Sequence, residues 1–224
     1  MTEQLRVLLV DDEPMVCAHL RTILGSAGDI EVVDQVYDGA AAVEAVTRHR
    51  PRVVLMDLRM PGVDGIVATE RIRALPETPI VVVLTTFDAD EYVLRALRAG
   101  AAGFLLKSTP PEDLIDLVRV AASGHTVMSP EATHRLLTVS ERQSTPGNTR
   151  RERAKALLAE LTEREVQVLI CLGEGLSNAQ IARQLFLSEG TVKGYVSRML
   201  VKLDCANRTQ AVLLAVDAGL IDRR

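Results

Sequence analysis

The sequence predicts an α/β protein: a five-stranded parallel sheet in front, then a linker, then an all-α domain of four helices. Three observations carry this. Over residues 1–125, five short runs rich in β-branched residues alternate with five helical patterns. Such alternation gives a parallel sheet with helices on both faces. Beyond residue 157, four short segments open on helix-start signals. Charge divides at the same place. Residues 1–130 carry 12 basic and 19 acidic side chains, a net −7, whereas residues 151–224 carry 11 and 9, a net +2. An acidic front and a mildly basic back point to two domains with different partners. The expected boundaries are 1–125 for the sheet domain, 126–156 for a connecting helix and flexible linker, and 157–224 for the helical domain.

The elements follow in order. The first strand, LRVLLV (5–10), ends on Asp11-Asp12 and leads to a helix over 14–26. The second, EVVDQV (31–36), precedes a helix over 39–48. The third, RVVLM (52–56), runs into Asp57, and the chain breaks at Pro61-Gly62 before a helix over 64–74. The fourth, IVVVLTT (80–86), ends on Thr85-Thr86 and is followed by a helix over 89–99. The fifth, GFLL (103–106), is followed by Lys107 and a helix over 111–123. Thr109-Pro110-Pro111-Glu112 places a capping residue, a proline and a glutamate at the start of that last helix. The central strands are apolar throughout, as strands buried on both faces are.

Composition narrows the class. The 224 residues are 47% hydrophobic and 25% charged, as in an ordinary soluble globular protein. No apolar run reaches the roughly 18 residues of a membrane span. MTEQLRVLLV lacks the basic region and cleavage site of a signal peptide, so a cytoplasmic protein with no membrane partner is expected. Cys17, Cys171 and Cys205 have neither metal spacing nor a disulfide framework, and are expected as packing residues. His19, His49, His125 and His134 are scattered and form no metal or phosphotransfer cluster.

A lone aspartate at a strand end reads as a solvated terminus or a helix cap. Here the strand ends gather more than one. In a parallel sheet Asp11, Asp12, Asp57, Thr85 and Lys107 all reach the carboxyl edge, where open α/β folds place their chemistry. Three adjacent carboxylates repel one another unless a cation joins them. Mg²⁺, a hard ion that takes carboxylate oxygens and keeps waters for phosphate, suits the set. A carboxylate beside Mg²⁺, a lysine and a hydroxyl is a phosphoryl-acceptor site with Asp57 as nucleophile.

Residues 138–156, TVSERQSTPGNTRRERAKA, are polar and rich in turn formers, which predicts a flexible linker. Its basic run, RRERAK, is either solvated or lies on phosphates. Then Thr162 with Glu165, and Ser177 with Gln180, form capping boxes. Ser188 can cap the third helix, Asn207 with Gln210 can start the fourth, and Gly173 and Gly175 end the first. Helices near 178–186 and 189–203, joined near Leu187, make a helix-turn-helix. Val192, Val196, Met199 and Leu203 share one face of the latter helix, which must pack inward. Lys193, Ser197 and Lys202 lie elsewhere, with Arg198 at the border. A short polar and basic outer face can lie in a major groove, with lysine and arginine on phosphates supplying most of the affinity. Spacing alone leaves a plain helical bundle equally open. GEGLSN (173–178) lacks the third glycine of a nucleotide loop and follows a helix, so no ATP site is predicted.

At these residues a resemblance is plain. Asp11-Asp12, VVLMDLRMPGVDG (53–65), Thr85 and AAGFLLKS (101–108) resemble the receiver domain of two-component response regulators, over about residues 4–125. LTEREVQ through NRTQAV, with LSNAQIA and LSEGTVK as its specific core, resembles the LuxR-type DNA-binding domain over about 158–222. The whole chain is similar to the NarL/FixJ class. The resemblance implies a flavodoxin-like strand order 2-1-3-4-5 and phosphorylation of Asp57. It implies Mg²⁺ held by Asp12, Asp57 and the backbone carbonyl of Arg59, with Asp11 acting through water. Thr85, Phe104 and Lys107 become the switch residues. Thr191, Lys193, Gly194, Ser197, Arg198 and Lys202 become the DNA-binding set. The implied partners are a sensor histidine kinase, double-stranded promoter DNA and a second copy of the chain once phosphorylated, with the last helix (about 208–218) as the DNA-bound dimer contact. The protein is then a transcription factor and not an enzyme.

The chain departs from the family pattern in places. Ser108 stands where many receivers have a proline in cis, and a cis non-proline bond costs about 3 kcal/mol, so the loop is either strained or trans. Gly194 and Tyr195 follow Lys193 where relatives often carry Asn or another polar residue and then His. Gly194 costs roughly 1 kcal/mol of helix propensity against Ala and offers no side chain to a base, which shifts readout toward Lys193, Ser197, backbone and shape. Cys205 stands at a turn where others have Val. Two rival readings remain. A haloacid-dehalogenase-type phosphatase needs a second aspartate where Arg59 stands. A phosphorylation-independent DNA binder has no use for the full acidic set with Thr85 and Lys107.

Overall fold

A computed structural model describes residues 4–85, 90–124 and 148–221. The chain divides into two compact units, Met1–Ser129 and Pro130–Arg224. The first holds strands β1 (Leu5–Val10), β2 (Ile30–Val36), β3 (Val53–Asp57), β4 (Ile80–Thr85) and β5 (Gly103–Leu106). Helices α1 (Pro14–Gly25), α2 (Gly39–His49), α3 (Gly65–Arg73), α4 (Asp90–Ala99) and α5 (Pro111–Ala122) alternate with them. The strands pair in parallel in the order β2-β1-β3-β4-β5, as the resemblance implied.

Successive residues of a strand point to opposite faces, and here both faces are buried. Val7, Leu9, Val53, Leu55, Val82 and Leu84 face one core, closed by Leu20, Leu24, Leu114 and Val118 of α1 and α5. Leu8, Val10, Val54, Met56 and Val81 face the other, closed by Ala42, Val46, Ala68 and Ile72 of α2 and α3. That two-sided burial is why these strands read as unbroken apolar runs. Polar residues are left for the strand ends.

Local chemistry fixes the helix starts. Asp38 accepts from the N–H groups of Ala40 and Ala41 at 2.8 and 2.9 Å. Asp64 caps α3 from Val67 N–H at 2.8 Å. The cap expected at Thr109 does not form. Pro110 occupies the N-cap position of α5 with no side-chain bond, and Glu112 and Asp113 supply negative charge to the first turn instead. The described residues contain no cis peptide bond, so Lys107-Ser108 is trans. Thr86 of the expected fourth strand, residue 89 of the expected fourth helix, His125 and His134 lie outside the described residues.

The second unit holds α6 (Asn148–Leu158), α7 (Glu163–Gly173), α8 (Asn178–Leu185), α9 (Glu189–Lys202) and α10 (Arg208–Ala218). The four expected helices are there, preceded by one more. Both capping boxes close, at Thr162/Glu165 and Ser177/Gln180. Ser188 caps α9 from Thr191 N–H at 3.0 Å, and Asn207 caps α10 from Gln210 N–H at 3.0 Å. Val168, Leu172, Ile181, Val192, Met199, Leu203 and Ala215 form one core.

The flexible linker expected over 138–156 needs correction from residue 148 on. There the chain is helical, Ala154 is buried, and Leu157 and Leu158 pack on that core. Residues 138–147 lie outside the described set. Part of the basic run is committed within the fold: Arg151 crosses over Gly219, its Nη2 3.0 Å from where a Cβ would sit. A cation there suits the carboxyl end of α10. No described helix is long and apolar enough to cross a membrane.

Candidate functional site

The carboxyl ends of β1, β3, β4 and β5 bring Asp11, Asp12, Asp57, Thr85 and Lys107 to one place. Asp57, the last residue of β3, is only 6% exposed, and Asp11 is fully buried. Asp57 Oδ2 accepts from Arg59 N–H at 3.1 Å, and Asp11 Oδ1 accepts from Glu13 N–H at 3.0 Å. Lys107 Nζ bridges the two carboxylates, 2.7 Å from Asp11 Oδ2 and 3.1 Å from Asp57 Oδ1. The Lys107 loop is tied to β4 through its N–H to the Thr85 carbonyl at 2.9 Å.

The electrostatics follow from this crowding. Burial raises the pKa of the Asp57 carboxyl; Lys107 opposes that rise and Asp11 adds to it. Burial alone would depress the Lys107 ammonium, but the Asp11 and Asp57 carboxylates outweigh it and hold its pKa above the usual value. Cys17 donates to the Asp11 carbonyl at 3.7 Å. Burial and the Asp11 charge push its thiol up to about 11, which disfavours the nucleophilic thiolate.

Asp11, Asp12 and Asp57 each offer a carboxylate oxygen, all within 4.8 Å of one another. Three hard oxygen donors against a single lysine fit Mg²⁺ in charge and ligand type. Beside them opens a cavity of about 270 Å³ lined by Asp12, Glu13, Asp57, Leu58, Arg59, Thr85 and Lys107, room enough for a phosphoryl group. Phe104 lies half-buried on β5, paired with Val83, and does not line it.

Two residues at this site escaped sequence reasoning. Glu13 lines the cavity with Oε1 3.9 Å from Lys107; its signal was its place directly after Asp11-Asp12. Gly65 opens α3 hard against β3, and a Cβ there would collide with the Asp57 carbonyl oxygen. The final glycine of VVLMDLRMPGVDG is therefore required by the approach of α3 to the Asp57 end of β3.

In the second unit α8 and α9 are joined by a turn. Phe186 adopts the left-handed region there (φ 55°) and is 95% exposed. Lys193, Ser197 and Arg198 are exposed on α9, whereas Val192 and Met199 are buried. Thr191 is exposed, but its hydroxyl is 2.8 Å from that of Ser188. Lys202 does not share the outward face. Its ammonium turns back to Glu165, 2.7 Å from Oε2, and also reaches the Glu160 carbonyl at 3.4 Å. Glu165 is 2% exposed, and such a carboxylate holds its partner firmly. Lys202 ties α9 to α7 in this structure, and the DNA contact expected of it would require it to leave Glu165. Arg208, half-buried, donates to Asn178 Oδ1 at 2.7 Å and ties the start of α10 to that of α8.

Comparison with known proteins places both units in known families. The family model described as response regulator receiver domain matches residues 7–119. That for bacterial regulatory proteins, luxR family, matches residues 159–215. The chain is 41% identical to the uncharacterized transcriptional regulatory protein YxjL of Bacillus subtilis, over 98% of each chain. It is 37% identical to the response regulator protein VraR of Staphylococcus aureus, covering 97% of this chain and 99% of that one. Among solved structures it is similar to the response regulator ChrA of a heme-sensing two-component system. That likeness has 38% identity and a TM-score of 0.52, and covers 97% of this chain and 99% of ChrA.

Proposed function

The chain belongs to the two-component response regulators that join a receiver domain to a LuxR-type DNA-binding domain, and from that premise we propose that phosphorylation of Asp57 controls its binding to promoter DNA. The observation that carries this reading is the placement of Asp57: buried at the end of β3, 3.1 Å from Lys107, and clustered with Asp11 and Asp12 beside an open cavity. Domain boundaries at 1–125 and 157–224 belong to the same reading, with the connection amended to include α6.

A phosphohistidine on a sensor histidine kinase is the donor. A carboxylate oxygen of Asp57 attacks the phosphorus, the phosphorus–nitrogen bond breaks, and the histidine leaves with its electron pair. Asp12, Asp57 and the Arg59 carbonyl would hold Mg²⁺, with Asp11 acting through water. When bound, the ion neutralises charge on the transferred oxygens. Lys107 gives up its bond to Asp57 and follows the new phosphoryl oxygens. The Thr85 hydroxyl turns to them as donor, and Phe104 moves inward behind it. An added phosphoryl charge thus biases a two-state domain. The DNA-binding unit is released, the phosphorylated chain forms a homodimer through α10, and Lys193, Ser197 and Arg198 meet the major groove, with Thr191 and Gly194 at the same face. The protein has no turnover reaction of its own in this scheme.

The test is DNA binding with and without a small phosphodonor and Mg²⁺. The wild type binds its selected duplex more tightly when the donor is present, and Asp57→Asn shows no such stimulation. Equal stimulation in both proteins would sink the proposal in favour of phosphorylation-independent binding.

A further inference from the structure

We infer that Arg198 is the residue through which α9 reads base sequence, and that the base it reads is guanine. The inference rests on the reading of α9 as a DNA-contacting helix. Of the side chains proposed for that face, Thr191 is engaged with the Ser188 cap and Lys202 with Glu165. Gly194 offers no side chain. Lys193, Ser197 and Arg198 remain.

Their chemistries differ. A lysine is a point charge on a flexible stem and suits phosphate. A serine hydroxyl accepts from one base and donates to another, so it discriminates weakly. An arginine presents a planar fork that meets O6 and N7 of guanine together.

The structure prepares Arg198 for that task. Its guanidinium carbon lies 4.9 Å from the centroid of the Tyr195 ring. Tyr195 is itself half-buried against the core of the second unit, so the platform is anchored. A guanidinium resting on a fixed ring has lost part of its rotamer freedom before any base arrives. Gly194 completes the arrangement. A Cβ built there would have Arg198 Nη1 as its nearest neighbour, at 3.4 Å. A side chain at 194 would therefore stand in contact with the Arg198 fork. The glycine that removes a base contact from position 194 gives that contact to position 198.

The test is selection of bound duplexes from a random pool, using the full chain with phosphodonor and Mg²⁺, for wild type, Arg198→Ala and Arg198→Lys. The wild type enriches half-sites with one guanine whose replacement weakens binding about tenfold. Arg198→Ala loses the preference at that position and keeps it elsewhere, and Arg198→Lys, without the planar fork, weakens it. Arg198→Lys preserves the charge, so its binding retains the wild-type salt dependence, whereas Arg198→Ala shows a shallower slope if the residue also approaches the backbone. Retention of the same guanine preference by Arg198→Ala overturns the inference and leaves Arg198 as a phosphate contact. If no protein enriches any sequence, the DNA-binding reading of α9 itself falls, and the inference with it.

Discussion

Glu165 is 2% exposed, yet its carboxylate is charged and fully employed. Oε2 accepts from Thr162 N–H at 2.8 Å, from the Thr162 hydroxyl at 2.9 Å and from Lys202 at 2.7 Å. Burial alone would raise its pKa, but Lys202 and the Thr162 bonds outweigh that and hold it below the usual value of 4.5. A depressed folded-state pKa contributes stability that is fully present above the unfolded value and is lost as pH falls through the folded one. The second unit should therefore lose stability on acidification below about pH 4.5, and Glu165→Gln should flatten that loss while lowering stability at pH 7. Thermal unfolding at several pH values checks it; a Glu165→Gln protein with the wild-type acid profile would remove Glu165 as the cause. The residue scale is also where sequence reasoning succeeded and failed most clearly. Asp11, Asp12, Asp57, Thr85 and Lys107 were legible because a strand buried on both faces leaves polar residues nowhere but its ends. The Lys202–Glu165 pair was not legible because the partners lie 37 residues apart, and helical spacing carries no information about a bond between two helices.

At the scale of elements, the strands and helices of the first unit were legible to within a residue or two, because periods of 2 and 3.6 persist wherever a face is buried. The capping boxes were legible for the same local reason. The helix α6 was not. Its apolar contacts are Ala154, Leu157 and Leu158, gathered at its carboxyl end, and the polar stretch taken as a linker stops at residue 156, before the two leucines. Tertiary packing against α10, rather than amphipathic pattern, sustains this helix. Placing a charge at its buried position tests the point. Ala154→Asp should destabilise the second unit by about 2 kcal/mol or more, since the carboxylate has no partner there, and should leave the first unit unaltered. Backbone hydrogen exchange resolves the two units. Unchanged protection of α7 to α10 would return residues 148–158 to the role of a tether.

On the scale of the whole molecule, the chain divides into an acidic α/β unit and a unit whose described residues are all helical, each with its own core. The chemistry separates likewise. The first unit gathers three carboxylates, a lysine and a cavity of about 270 Å³. The second presents a helix whose inner face is core and whose outer face carries Lys193, Ser197 and Arg198. In the proposed function a single covalent event joins the two, so that event is the one to measure first. Intact mass of the purified protein after exposure to a small phosphodonor with Mg²⁺ should show one added phosphoryl group on the wild type and none on Asp57→Asn. The same adduct on Asp57→Asn would place the acceptor elsewhere and contradict the assignment of Asp57.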